Sequence, residues 1–525
     1  MDRLLVSWLV LGGILGAASS AVAQPTAPTG GAQPPAQAVE PVPAAGEAAA
    51  AAEAPATAEA GAATPPPAAA PGTLRAGSDA PASAPVEVPP PAPMWPSPPV
   101  PSPTAAAAAE NVEAPVRAPE DQPEGTPLVV SGSFFGRYEV RDGYARMGVS
   151  RARWLEGDMT VYRARFGLAT QPVEVTSGLT SKVVFVPQAS GVFGTLSSTV
   201  ADADLGLHEG YLRLGGSSAT TFDLGRFEMD YGDALVIGNL GWHQTARSFD
   251  GARLHLQCQQ DKPYLDAFVT AVEEGIALGD RRNGANDLYF AGVYAGLGPL
   301  VADGLALDVY ELNQLRLRSN NVPLDLADAS LGTGSRTTAV QATLGVRAKQ
   351  KLGVVDYRFE ADYQFGQRPG FGTQTTVSAY QVDGEVGGSI DDRFRGAVEG
   401  FYATGDDPAT STAEDYDQLY PTAHKWLGLA DVIGARTNAA GVAGHLKVHP
   451  IAPWAVGLDV HAFFRPEHAP GSGAYAASEA DLQSSYAFGK GLKASALYAL
   501  FLPSDSAYPT DAAAHYSEVQ LGYAF

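Results

Sequence analysis

The end of this chain alternates strictly between two kinds of residue. From Ser517 to Phe525 every second residue is bulky and apolar, and the residues between are polar or small. Side chains of a β-strand point alternately to opposite faces, so this segment predicts a strand with one apolar face. The same alternation recurs back to about Leu128 and is clearest from Val355 to Phe365. Most of the chain therefore has to place the apolar faces of strands in a shared core or against lipid.

We predict eighteen strands in this part of the chain. They cover residues 128–142, 158–170, 174–187, 204–215, 219–227, 249–258, 263–272, 286–297, 303–313, 336–349, 352–366, 376–387, 391–403, 439–450, 453–465, 479–489, 491–502 and 514–525. Connections after the odd-numbered strands are mostly long and those after the even-numbered strands are short, which is typical of outer-membrane barrels with short periplasmic turns.

A soluble β-sandwich or β-helix is the competing fold. Aromatic residues gather near the strand ends, however, as in the interfacial girdles of membrane barrels. The chain also ends on an aromatic residue, Phe525, as the closing strand of a bacterial outer-membrane barrel does. The sequence therefore predicts an all-β fold, a transmembrane antiparallel β-barrel of about 18 strands over residues 128–525.

Two different segments precede the predicted barrel. Residues 1–23 contain Arg3, an apolar run from Leu4 to Ala18 and the small-x-small sequence Ala21-Val22-Ala23, and they predict a secretory signal peptide. Residues 24–127 are rich in Ala and hold 26 of the 40 prolines. They predict a disordered periplasmic linker, either a passive tether or a contact to the cell wall or to periplasmic export machinery.

Composition limits the possible functions. The net charge of −23 argues against a nucleic-acid partner, and acidic residues also outnumber basic ones within residues 128–525. Cys258 is the only cysteine, so an intramolecular disulfide is excluded. The sequence has no serine-hydrolase, zinc-peptidase or phosphate-loop motif, and it predicts neither an enzyme nor a cofactor.

If one face of each strand meets lipid, the other lines the lumen, and parity assigns charged residues to it. The basic ones are Arg137, Arg141, Arg163, Arg165, Arg213, Arg253, Arg347, Lys349, Arg358, Arg395 and Lys447. The acidic ones are Glu139, Glu209, Asp223, Asp356, Glu360, Asp362, Asp383, Glu385, Glu399, Asp459 and Glu518. Eighteen strands leave a water-filled channel, in which such charges either set selectivity or pair across neighbouring strands.

Three further groups of polar residues lack a complete pattern. His445, Lys447 and His449 share a strand face, but a third metal ligand is not evident, so we interpret them as lumen lining. Acidic residues between positions 406 and 417 match no calcium loop and indicate an exposed loop. His243 and Ser248 lie close to Asp250 in sequence, which is too little to predict a hydrolase.

Two segments are more specific than composition. The first contains Leu224-Gly225-Arg226-Phe227, Asp230-Tyr231-Gly232-Asp233, Trp242 and Arg247-Ser248-Phe249-Asp250-Gly251. The second contains Tyr420, His424, Leu427-Gly428, Asp431 and Asn438, before a strand that ends in Lys447-x-x-Pro450. Both resemble the alginate-export family of bacterial outer-membrane β-barrels. The resemblance implies an integral outer-membrane channel for a secreted polysaccharide, acidic in that family and passed through a basic lumen.

The first segment is the predicted pore constriction or substrate path. Its members are Arg226, Asp230, Tyr231, Asp233, Trp242, Arg247, Phe249 and Asp250. The charged members are expected to form an ion-pair network at the pore mouth, and the aromatic rings suit sugar rings. The network either pins a long loop to the wall or belongs to a loop that folds inward.

The lumen charges leave the polymer open. Parity assigns equal numbers of acidic and basic residues to the lumen, so a neutral, amino-sugar or mixed-charge polymer fits as well as an acidic one. A general or small-solute porin is the alternative function, and an envelope anchor or a barrel enzyme is less favoured.

Overall fold

The structure is a computed structural model of the chain. It describes residues 127–147, 156–194, 204–216, 220–257, 263–273, 288–316, 322–323, 333–334, 339–369, 374–391, 393–489 and 491–525. The predicted signal peptide and the predicted linker up to residue 126 lie outside the described residues, as does Cys258.

Eighteen strands form a closed antiparallel barrel. In chain order, β1 to β18 are Leu128–Asp142, Gly157–Thr170, Leu179–Gly194, Asp204–Gly216, Thr221–Phe227, Ser248–Gln257, Tyr264–Glu273, Leu288–Gly296, Ala306–Arg316, Ala339–Leu352, Val355–Pro369, Gln374–Ile390, Phe394–Ala403, Ala439–Ile451, Trp454–Phe464, Tyr475–Gly489, Leu492–Pro503 and Ala514–Ala524. Each strand pairs with the next, and β18 pairs with β1 through register partners such as Arg137 and Gln520. The sheet therefore has no free edge, which a spanning sheet requires in lipid.

The remaining elements are short. Val173–Thr176 pairs with the start of β3, and Val322–Pro323 pairs with Thr333–Gly334. Within the part of the chain that the structure describes, single-turn 3-10 helices occupy Ala145–Met147, Gly298–Leu300 and Ala423–Lys425. Among the described residues, no helix is long and apolar enough to cross a membrane.

The predicted barrel of eighteen strands is confirmed, most strand bounds differ by at most three residues, and two strands differ by more. The third strand was expected at 174–187 but runs from Leu179 to Gly194. It continues past Pro187 because the register shifts between Val186 and Pro187, and such a bulge tolerates proline. The sixteenth strand begins at Tyr475 rather than at residue 479, since small residues there interrupt the alternation.

The two faces of the strands separate as the alternation predicts. On β11, Phe359 and Tyr363 are 41% and 46% exposed, whereas the residues of opposite parity, Arg358, Glu360 and Asp362, are buried. Hydrocarbon can cover the exposed aromatic face without cost, while charged side chains need the interior. The apolar face therefore marks the lipid side of the barrel.

Two long connections occupy the lumen. Loop 5, residues 228–247, joins β5 to β6, and loop 13, residues 404–438, joins β13 to β14. Trp242 of loop 5 donates to Glu518 of β18, while Asp233 of the same loop binds Arg347 of β10. These strands lie on different sides of the closed barrel, so loop 5 has to cross the interior. We call loops 5 and 13 together the plug.

The plug brings an apolar core into the lumen. Leu235, Val236 and Ile237 of loop 5 and Leu427 of loop 13 are buried in one cluster with inward-facing wall residues such as Phe290. The two loops therefore fill part of the predicted water-filled channel. Strand parity describes only the wall, whereas the loops carry their own apolar side chains inward.

Candidate functional site

Backbone hydrogen bonds join the two loops of the plug. The amide of Tyr420 donates to the carbonyl of Val236 at 3.0 Å, and the amide of Gly238 donates to the carbonyl of Tyr420 at 2.8 Å. The amide of Thr422 donates to the carbonyl of Ala234 at 2.9 Å. This short parallel pairing satisfies backbone groups that the lumen would otherwise bury, so the two loops hold each other in place.

The backbone of the plug is strained. Seven described residues other than glycine have positive φ, and six of them lie in the two loops. They are Ala234, Leu240, Ala246, Leu419, Asp431 and Asn438, with φ between 49° and 60°. Such conformations persist only where surrounding contacts enforce them, and they concentrate at functional sites.

Trp242 lies at the centre of the plug. Its ring stacks on His424 of loop 13, with centroids 3.9 Å apart and planes at 12°, and the guanidinium of Arg137 lies 4.0 Å from the same ring. Two groups at this distance cannot share one face, so they sandwich the indole. Trp242 Nε1 also donates to Glu518 at 3.3 Å. The ring is therefore held by the neighbouring wall strands β1 and β18 and by loop 13.

An ion pair inside loop 13 holds His424. Its Nδ1 lies 2.9 Å from Asp431 Oδ1. Burial alone would lower the pKa of His424, but the negative charge of Asp431 outweighs it and raises the pKa above its ordinary 6.5. Burial would raise the pKa of Asp431, and His424 and Arg141 lower it instead. Each member of the pair therefore favours the charged form of the other.

Asp233 connects loop 5 to the wall. It accepts hydrogen bonds from Arg347 at 2.6 and 2.8 Å and from Lys349 at 2.6 Å, both on β10. Burial would raise the pKa of Asp233, but these two cations lower it to about 2. Gly232 turns the chain towards them with φ 63°, and a Cβ there would lie 2.8 Å from Arg347 Cδ. A side chain at Gly232 would thus obstruct the contact.

Tyr231 and Phe249 are packed rather than open to a ligand. The Tyr231 hydroxyl donates to Asp266 at 2.7 Å, and its ring stacks on Tyr294 at 4.5 Å. Phe249 is buried and meets Tyr420 of loop 13 edge-on. These two rings therefore support the plug. Of the aromatic residues predicted for the substrate path, Trp242 is the one that also borders the lumen cavity.

Arg226 and Asp250 form a pair on the wall. They are register partners on β5 and β6, joined by hydrogen bonds of 2.9 and 2.7 Å. Alternation breaks at Gly225, whose φ of 132° allows Arg226 and Phe227 both to be buried before β5 ends. The sequence also indicates this break, because Phe222, Leu224 and Arg226 have the same strand parity and a charged residue there requires the strand to end or bulge. The pair ties the two strands from which loop 5 departs.

Arg247 acts at the junction of the two loops. Its Nη1 donates to the carbonyls of Gly238 and Pro421 at 3.2 and 3.0 Å, so one guanidinium binds both loops. Arg226 thus makes its contact on the wall, Asp233 binds β10 and Arg247 binds both loops, and the single ion-pair network stays a prediction. Asp230 lies at the start of loop 5, between the wall pair and Asp233.

The nine predicted lumen arginines lie on the inner face, and each has a protein partner. Arg137 and Arg141 bind Glu139, and Arg163 donates to the carbonyl of His243 at 2.8 Å. The other partners are Gln188 for Arg165, Asp223 for Arg213 and Arg253, Asp308 for Arg347, Asp383 for Arg358, and Asp356 for Arg395. Pairing across strands therefore accounts for most of the lumen charge.

Two groupings were not predicted from the sequence. Ser248 bonds His208 of β4, donating to its carbonyl at 2.6 Å, while His243 bonds Thr245 at 2.8 Å. Both Ser248 and His208 are buried, so this contact joins wall strands and offers no access to a substrate. Trp426 of loop 13 packs under the Arg358 guanidinium at 4.5 Å. The contacts of Ser248 with His208 and of Trp426 with Arg358 depend on the folded barrel, because these partners are not neighbours in the sequence.

A cavity of about 280 Å³ remains between the plug and the wall. Trp242, His424 and Trp426 border it from the plug. Seven basic and seven acidic residues line it, namely Arg163, Lys349, Arg358, Arg395, Lys425, Lys447 and Lys493, and Asp233, Asp356, Glu385, Glu399, Asp459, Asp481 and Glu518. The remaining path is therefore narrow, partly aromatic and balanced in charge.

Comparison with known proteins decides the family. Residues 194–508 match the family described as alginate export, which is more than half of the chain. The chain belongs to the alginate-export family. This alginate-export barrel is an integral outer-membrane protein and forms an outer-membrane channel. No curated protein sequence matches it.

Solved structures with the same fold are outer-membrane porins. Acinetobacter baumannii OccAB4 is 12% identical with a TM-score of 0.54, and the match covers 76% of this chain and 98% of that one. Pseudomonas aeruginosa OccK5 (OpdH) is also 12% identical, with a TM-score of 0.53 and the same coverage. Pseudomonas aeruginosa OpdO is 14% identical with a TM-score of 0.53, covering 76% and 97%. At such identities the likeness establishes the barrel fold alone.

We expect the plug of this alginate-export barrel to loosen as the pH rises through the raised pKa of His424. The folded pKa of His424 is raised, so its stabilisation is complete below 6.5 and is lost as the pH rises through the raised value. The groups that face the ring are Trp242, Asp431, Glu518 and Arg137. Single-channel recording between pH 6 and 9 should show current fluctuations that increase with pH.

His424→Gln should remove this pH dependence. His243→Gln is the matched control, because burial lowers the pKa of His243 to about 4 and the residue stays neutral over the whole range. A pH dependence that persists in His424→Gln, or disappears in His243→Gln, would refute the assignment.

Arg247→Ala should change the channel more than Arg226→Ala. The first substitution removes a guanidinium that binds both loops, whereas the second removes a cross-strand pair on the wall. Single-channel records of Arg247→Ala should therefore show frequent transitions to larger conductance, and those of Arg226→Ala should resemble the wild type. Equal effects of the two substitutions would mean that the loop junction does not control the pore.

Proposed function

We propose that this protein exports a secreted polysaccharide from the periplasm to the cell surface. One observation carries the proposal: the two sequence segments that resemble the alginate-export family, around residues 224–251 and 420–438, are the segments that meet inside the lumen. Family-specific sequence is thus concentrated where a passing polymer would have to make contact. Transport is passive at this protein and includes no covalent step.

The plug supplies the surfaces that such a polymer needs. Trp242 and Trp426 border the cavity with flat apolar rings, which complement the apolar faces of sugars. In this proposal the constriction consists of Arg226, Asp230, Tyr231, Asp233, Trp242, Arg247, Phe249 and Asp250. Trp242 touches the polymer, and the others hold the loops that position it.

The balanced charge of the cavity bears on the kind of polymer. A path for a strongly acidic chain gains from unpaired cations, but the lumen arginines are already paired with carboxylates or carbonyls. A neutral or mixed-charge polysaccharide therefore fits this cavity better than a strongly acidic one.

Deletion of the gene tests the proposal. We expect the deletion strain to lose polysaccharide from the cell surface and the medium, and a plasmid copy of the wild type to restore it. Unchanged secretion in the deletion strain would refute polysaccharide export. A plasmid copy carrying Trp242→Ala should restore the barrel in the membrane without restoring full secretion.

A small-solute porin is the second candidate, because the plug leaves a cavity suited to a small molecule. One structure with the same barrel fold, Pseudomonas aeruginosa OpdK, was solved with vanillate. Liposome swelling separates the two functions. A porin would admit sugars and small acids at rates that fall with solute size, whereas a plugged exporter would admit little of either.

The N-terminal segments belong to the same proposal. Residues 1–23 would direct secretion, and residues 24–127 would reach the cell wall or periplasmic export machinery. Removing residues 24–127 behind an intact signal sequence tests this role. Loss of secretion with normal insertion of the barrel supports docking, and normal secretion indicates a passive tether.

A further inference from the structure

A cluster of three side chains on neighbouring wall strands borders the cavity outside the constriction. Glu385 of β12 and Glu399 of β13 are register partners, and His445 lies on β14. Their nearest ligand atoms all lie within 4.8 Å of one another. Like charges placed directly opposite each other on adjacent strands repel, and the Arg358 guanidinium, within 4 Å of both carboxylates, offsets part of this repulsion.

The orientation of His445 is set by a further carboxylate. Its Nδ1 lies 2.7 Å from Asp459 Oδ1, and a carboxylate can only accept, so Nδ1 carries the proton of the neutral ring. The lone pair of Nε2 then faces Glu399 Oε2 at 3.4 Å, where Nε2 is buried without a hydrogen bond. Two lone pairs facing each other require a proton or a metal ion between them.

The charged groups around the cluster also call for a proton or a metal ion beside His445. Arg358 contacts Asp383, Glu385 and Glu399, and Arg395 contacts Asp356 and Glu385. Arg436 contacts Asp383 as well. With Asp459, five carboxylates thus face three guanidiniums and Lys447, the register partner of Arg395, which leaves one negative charge for a proton on His445 or for a metal ion. Arg358 is held by Asp383 and Trp426, so it can keep its place beside a bound cation.

We propose that Glu385, Glu399 and His445 bind a divalent transition-metal ion such as Zn²⁺ at the wall of the lumen. Two carboxylates and one imidazole are a donor set that Zn²⁺ accepts, and the cavity gives an entry path and water for the open position. Bonds of 2.0–2.2 Å place tetrahedral ligands about 3.4 Å apart, so the cluster has to close by roughly an ångström. Asp459 orients the imidazole in the manner of carboxylate–histidine–metal triads.

Zinc titration of the purified full chain, folded in detergent, tests this site. Calorimetry with Zn²⁺ alone should show one saturable site in the wild type. Glu399→Gln and Glu385→Gln should each weaken it by about tenfold or more, and Asp459→Asn should weaken it about tenfold through orientation of His445. Heat-modifiable migration on gels, which reports a folded barrel, is required of every variant.

His255→Gln is the matched control. His255 of β6 makes the same kind of pair, with its Nδ1 2.5 Å from Asp266 Oδ1, but it is not part of the three-residue cluster. The His255→Gln variant should bind Zn²⁺ with the affinity of the wild type. The His445→Gln variant should lose this binding. Equal affinity in the wild type and Glu399→Gln, or an equal loss in His255→Gln and His445→Gln, would overturn the proposal and leave a protonated His445 as the cation.

Discussion

Removing residues 406–436 from loop 13 should raise the single-channel conductance several-fold. The deletion takes out Trp426, His424 and the backbone pairing that holds loop 5, so most of the plug is lost at once. An eighteen-stranded wall without a plug leaves an aqueous channel. Ala403 and Ala439 are register partners, so a short Gly-Ser turn closes the gap without straining β13 or β14. Planar-bilayer recording in potassium chloride measures the effect.

Deletion of residues 468–471 is the control for this experiment. These residues form the exposed tip of the connection between β15 and β16, and their removal should leave conductance unchanged. Heat-modifiable migration on gels verifies that both deletions fold. A conductance equal to the wild type after removal of 406–436 would mean that the loops do not obstruct the path.

Asp233→Ala should release loop 5 from the wall. The substitution leaves Arg347 and Lys349 facing an empty space, and removing one partner of a buried ion pair costs about 3 kcal/mol or more. We therefore expect frequent excursions to larger conductance at neutral pH. Asp250→Asn is the matched control, because it neutralises a carboxylate of the wall pair and leaves the Asp233 contacts intact.

The pH dependence of the same contact has a definite sign. The folded pKa of Asp233 is about 2, below its ordinary 3.8, so its stabilisation is complete above 3.8 and is lost as the pH falls through 2. The single-channel current of the wild type should show few excursions from pH 6 down to about pH 4. It should resemble the current of Asp233→Ala only near pH 2. Loss of this contact already at pH 5 would contradict the ion pair with Arg347 and Lys349.

The two experiments separate the parts of the plug. Deletion within loop 13 removes the obstruction, whereas Asp233→Ala keeps it and frees one attachment. If the deletion opens the channel and Asp233→Ala does not, the junction with Tyr420 is strong enough to hold loop 5 alone.

The wall could be predicted from the sequence because alternation is a local property. Arg358, Glu360 and Asp362 face inward since each lies one residue from an aromatic side chain that needs lipid. The break in alternation at Gly225 and Arg226 can be seen in the sequence for the same reason. Errors in the bounds of β3 and β16 arose where proline or alanine interrupts the alternation, and only the pairing with neighbouring strands extends these strands.

The sequence by itself determined the barrel, its inward charges and the two segments that mark its family, because period-two patterning and motif spacing depend on near neighbours alone. Tertiary structure decided where the two long loops go and which groups meet there. Trp242 and His424 are far apart in the chain, as are Asp233 and Arg347, and closure of eighteen strands is what brings them within bonding distance. Contacts across a lumen leave no periodic trace in a sequence, since each depends on the position of the whole wall.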